Sequence, residues 1–107
     1  MAQFPCPYLN APVELTEERE RHIGQHHPDL LPQYWSQLKE TLVDPDQVRR
    51  SQRFENARLF SRRYDMIGAG KHIVVVVIID QNARRNWVVT AYIARRMAGG
   101  EVEWKKS

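Results

Sequence analysis

Lys71-His72-Ile73-Val74-Val75-Val76-Val77-Ile78-Ile79 is the stretch on which the fold turns. Ile73 to Ile79 is an unbroken run of β-branched residues. Such side chains are stiff at χ1 and pack well on a pleated surface, so the run favours an extended backbone. A continuous apolar run, rather than an alternating one, marks a central strand covered on both faces. It is far too short to span a membrane. Downstream, Asp80-Gln81-Asn82-Ala83 supplies turn chemistry before a second strong strand, Asn86 to Arg95. There, strict alternation puts Trp87, Val89, Ala91 and Ile93 on one face and Val88, Thr90 and Tyr92 on the other. Upstream, Ala57 to Tyr64 alternates Arg58, Phe60, Arg62 and Tyr64 with Leu59, Ser61 and Arg63, and Gln47 to Ser51 forms a shorter strand before it. Past a turn at Ala98-Gly99-Gly100, Glu101 to Trp104 adds a last short strand.

Before Val48 the period is helical. Thr16 is placed to cap a first helix whose opening turns carry Glu17, Glu18 and Glu20, where the helix dipole favours negative charge. That helix runs to about His27. Pro28 and Pro32 punctuate the chain, and Leu31, Tyr34, Trp35, Leu38 and Leu42 then recur at spacings of three and four, the core face of a second helix. Pro45 ends it. Pro5, Pro7 and Pro12 keep the first dozen residues extended, with Val13 and Leu15 starting a short edge strand. The sum is one α+β domain over residues 1–107: two N-terminal helices (about 13–43) packed on a four- to five-stranded antiparallel sheet (about 47–104).

A chain of 107 residues can bury one core. Its single cysteine, Cys6, forms no internal disulfide and fits a reducing compartment, so a cytoplasmic location is expected. The opening residues do not read as a secretion signal, and no membrane partner is expected. The net charge of +3 conceals an asymmetry. Residues 1–47 hold three Lys/Arg against eight Asp/Glu, whereas residues 48–107 hold thirteen against five. The second half can attract a polyanion, with arginine, whose fork matches phosphate, dominating it; the alternative is charge on solvated strand edges that prevents edge pairing.

RNA cleavage without a metal needs a base for the 2′-hydroxyl, an acid for the leaving oxygen, and cations for the phosphorane charge. His22 and His26 share one helical face; His27 shares the face of Ile23, which must turn inward. His27 then either caps the helix C-terminus or works as acid or base. Arg58, Arg62, Arg63 and Lys71 lie on or beside strands and are the cationic candidates; Arg49, Arg50 and Arg53 extend a positive track for RNA phosphates. Tyr92 either stacks a base or belongs to the core. Zinc is a rival, because His22 and His26 have the spacing of a helical zinc pair. However, Ile23 stands where the metalloprotease motif has its glutamate, so no metal or other cofactor is expected. Gly68-Ala69-Gly70-Lys71 precedes a strand and is too short for a phosphate-cradling loop.

The series Leu15-Thr16, His22-Ile23, His27-Pro28, Thr41-Leu42, Pro45-Asp46, Val48, Arg58, Val74 to Val77 and Trp87-Val88-Val89-Thr90-Ala91-Tyr92 resembles the phage-associated and toxin-like nucleases of the barnase, EndoU, colicin and RelE fold. The resemblance covers roughly residues 13–95. It implies helices packed on an antiparallel sheet, metal-free RNA cleavage, a substrate-orienting role for Thr90, and an acidic antitoxin or immunity protein as partner. One departure is that the first helix ends in His26-His27-Pro28, where the family has Arg-His-Pro. Taken together, the expected function is a metal-independent endoribonuclease with His27 and His22 as acid or base and Arg58, Arg63 and Lys71 on the phosphate. The alternatives are a non-catalytic nucleic-acid-binding module and a protein-binding domain with an acidic partner.

Overall fold

The computed structural model describes residues 1–97 and 99–107. Its elements run β1 (Ala2–Cys6), β2 (Ala11–Leu15), α1 (Glu17–His26), α2 (Trp35–Val43), β3 (Gln47–Arg50), β4 (Ala57–Tyr64), β5 (Lys71–Asp80), β6 (Arg85–Ala94) and β7 (Glu101–Lys105). All strands join one sheet in the order β1-β2-β6-β5-β4-β3-β7. The run that decides the fold, β5, is the middle strand. Of the turn expected at Ala98-Gly99-Gly100, Ala98 lies outside the described residues. Gly99 and Gly100 adopt φ of 83° and 77°, and a Cβ on Gly100 would clash with the Arg50 carbonyl oxygen.

The expected four- to five-stranded antiparallel sheet is corrected to a seven-stranded mixed one. The difference lies at the N-terminus. Residues 2–15 form a hairpin in which Phe4 faces Val13 and Pro5 faces Pro12, so the residues that lack an N–H meet at a single rung. Its turn is closed by Leu9 N–H to the Cys6 carbonyl and Asn10 N–H to the Pro7 carbonyl, with Asn10 at φ 54°. Phe4, Cys6, Val13 and Leu15 alternate into the core. β2 then pairs parallel with β6 through Glu14 and Trp87, the one parallel pairing among the described residues.

Both helices cover one face. Ile23 from α1 and Leu38 and Leu42 from α2 join Phe60, Ile73, Val75, Val77, Val88 and Ala91 in one buried cluster. Thr16 caps α1 by accepting from Arg19 N–H, and the Trp35 indole N–H donates to Glu20 across the helix pair at 2.9 Å. Trp35 also meets Phe4 edge to face at 5.1 Å between centroids. α1 begins two residues after β2 ends and lies against β6, where the Arg19 guanidinium donates to the Val89 carbonyl. No helix of the described residues is long and apolar enough to cross a membrane.

A bulge decides which β6 side chains face away from the helices. Val76 pairs with Thr90 and Val77 with Val88, so Val89 is an extra residue in the ladder. The strict alternation expected for residues 87–93 is broken there: Val88, Ala91 and Ile93 turn to the core, while Trp87, Thr90 and Tyr92 share the open face.

Candidate functional site

Directly opposed residues in a sheet share a face, so the open face can be read row by row. One row holds Arg49, Leu59, Val76 and Thr90; the next holds Gln47, Ser61, Val74 and Tyr92; the third holds Arg63, His72 and Ala94. Toward the other end lie Ala57, Ile78 and Trp87. Thr90, Tyr92, Arg63 and Arg49 thus come together on one surface. His27 joins them from the end of α1, its ring 6.1 Å from that of Tyr92 with 40° between the planes. Its own N–H donates to the Ile23 carbonyl, so the backbone of His27 caps α1 while the imidazole turns to β6. Burial pushes the Tyr92 phenol above its ordinary range, which keeps it a neutral donor.

Two buried polar side-chain atoms among the described residues lack a partner: Ser61 Oγ and His72 Nδ1. Both belong to adjacent rows of this face. Buried polar groups are nearly always satisfied, so two neighbouring exceptions mark a surface short of hydrogen-bond partners. Sequence reasoning did not select His72, because it reads as part of the apolar strand run. Only its register against Arg63 and Ala94 brings it to the site.

The cations divide. Arg63 pairs with Asp65 and packs over Gly70, where a Cβ would clash with its Nη2; the Lys71 side chain lies over Gly68 in the same turn. Arg49 is steered by Gln47 Oε1 and the Gly99 carbonyl and has no carboxylate partner among the described residues. Arg53 stands near Phe54, 5.9 Å from the ring centroid, on the β3–β4 turn.

The structure brings other candidates elsewhere. Arg58 faces the helix side, five residues along β4 from Arg63, or about 17 Å of extended chain. Its guanidinium donates to Glu103 and to the carbonyls of Glu55 and Ala57, and its side chain is 15% exposed. Arg50 joins the same Glu103, and Arg62 is held by Asp44 and Glu40. A cleft of about 540 Å³ opens beside Arg58 but is lined by Glu55, Asn56, Asp80 and Asn82, not by the histidines. His22 stacks on His26 on the outer side of α1.

Comparison with protein-family models, with curated proteins and with solved structures finds no match. The geometry of the open face therefore bears the functional argument.

Proposed function

We propose that the chain is an endoribonuclease of toxin type that cleaves RNA without a metal, using the end of the open sheet face where His27, Tyr92, His72 and Arg63 meet. The observation that carries this reading is the convergence of the His27 ring on Tyr92 beside a row containing His72 with its unsatisfied Nδ1. Two imidazoles near one phosphate are what a 2′-hydroxyl attack needs: one removes the hydroxyl proton, the other protonates the departing 5′-oxygen. Arg63 neutralises the charge that grows on the phosphorane oxygens, while Lys71, opposite Tyr64, stands on the helix side of the sheet. Thr90, one row away, offers its hydroxyl to a phosphate oxygen, and the neutral Tyr92 phenol donates or its ring stacks a base. Arg49 and Arg53 extend the contact along the strand. An extended series of strand side chains suits a polymer better than a small molecule.

Replacement of His27 by alanine tests this. RNA binding should stay within a few fold while cleavage falls about a hundredfold or more, the usual range for losing a general acid or base. Thermal unfolding must show the variant folded, because the His27 ring packs near Tyr92. Wild-type protein that binds diverse RNAs, including ribosome-bound messenger, yet leaves them intact would remove the nuclease. The same open face with Trp87 and Tyr92 among basic residues would then favour the second reading, a non-catalytic RNA-binding module. An acidic antitoxin or immunity protein is the partner proposed for the basic half.

A further inference from the structure

His22 and His26 stand one turn apart on α1, on one flank of the fully buried Ile23. Their rings are 4.1 Å apart between centroids and tilted by only 31°. His26 Nδ1 lies 3.0 Å from the His22 carbonyl oxygen. A carbonyl only accepts, so Nδ1 carries the proton and the neutral ring keeps its lone pair on Nε2. This is the arrangement of a metal-ligating histidine, whose second nitrogen is held by a backbone carbonyl.

We propose that His22 and His26 form a two-imidazole binding site for a borderline divalent transition-metal ion of the Zn²⁺, Ni²⁺ or Cu²⁺ class. Imidazole suits these ions, whereas Mg²⁺ and Ca²⁺ take oxygen ligands. Glu18 stands one turn earlier on the same helix face, but its carboxylate is engaged by Arg19 at 3.2 Å. Among the described residues no three His, Cys, Asp or Glu side chains are grouped to enclose a metal. The ion would keep water at its remaining positions, which makes the site exchangeable rather than structural. It is also separate from His27, whose ring turns the other way toward Tyr92.

Calorimetric titration of the whole chain with Cu²⁺, Zn²⁺ and Mg²⁺ tests the site without reference to nuclease activity. One Cu²⁺ per chain should bind, tighter than Zn²⁺ in the usual order of these metals, and Mg²⁺ should not compete. His22→Ala and His26→Ala should each weaken Cu²⁺ binding by about tenfold or more, because either change removes one of the two ligands. Circular dichroism confirms that each variant is folded, and the nitrogen pattern in the Cu²⁺ paramagnetic resonance spectrum should fall from two imidazoles to one. Copper affinity unchanged in both variants, no binding at about millimolar copper, or equal competition by Mg²⁺ overturns the proposal.

Discussion

Glu103 shows how one residue can take a candidate cation out of the chemistry. It accepts from Tyr8, Arg50 and Arg58, and so ties the last strand to the turn of the N-terminal hairpin. Desolvation alone would raise its carboxyl, but the donors from Tyr8, Arg58 and Arg50 outweigh that and hold it below the usual carboxylate range. Tyr8 moves the other way: desolvation, then its bond to Glu103, push the phenol up to about 12. The folded chain keeps that proton while the unfolded chain releases it near the ordinary value of 10.0. The stabilisation is complete below pH 10 and is lost as pH rises toward 12. Tyr8→Phe should therefore flatten the alkaline fall in stability by roughly one proton, read from urea midpoints measured across that interval. Buried Tyr64 and half-buried Tyr92 keep part of the slope, since both phenols are also raised. An identical slope in wild type and variant would show that Tyr8 gains nothing from Glu103.

At the scale of elements, the N-terminal hairpin is the part of the fold that carries the most unexpected weight. Phe4 is 1% exposed and packs against Trp35 of α2, so β1 closes the core from the sheet's edge. Phe4→Ala should cost about 3–5 kcal/mol in urea unfolding. A cost under about 1 kcal/mol would mean that the hairpin is dispensable. Ala2-Phe4-Cys6 and Ala11-Val13-Leu15 do alternate in the sequence, but three prolines obscure the pattern. That Pro5 and Pro12 share a rung depends on register, which no single strand reveals. Elsewhere the sequence was readable: the β4 and β5 starts, the Thr16 cap and the Asp80 turn, whose carboxylate accepts from Ala83 N–H, all follow from local chemistry. The Val89 bulge was not, because an added residue in a ladder exists only relative to its partner strand. It also sets Trp87 beside Thr90 and Tyr92, a pair that alternation alone already puts on one face. His27 and Tyr92 could be picked out from the sequence; His72 needed the pairing of three strands.

Over the whole molecule, the acidic first half and basic second half partly neutralise one another on folding. Arg62 and Lys106 meet Asp44, and Arg85 meets Glu14, each an ion pair between residues far apart in sequence. Exposed pairs of this kind contribute little to stability, but they decide which cations remain available to a polyanion. Arg49 and Arg50 are adjacent in β3 and differ in this respect: Arg50 pairs with Glu103 at 3.2 Å, whereas Arg49 is held by an amide oxygen and a backbone carbonyl, and its charge stays uncompensated. They also face opposite ways, Arg49 in the row of Thr90 and Arg50 opposite Arg58 on the helix side. RNA bound on the open face would release a counterion for Arg49 and none for Arg50. Plots of log affinity against log salt should be steep, and Arg49→Ala should reduce their slope by about 0.7, the value for one phosphate contact on a single strand. Arg50→Ala should leave the slope unchanged within error. Fluorescence anisotropy with a labelled single-stranded RNA at several salt concentrations measures both. Should Arg50→Ala change the slope and Arg49→Ala not, the RNA lies against the other side of the sheet, and the open-face site is wrong.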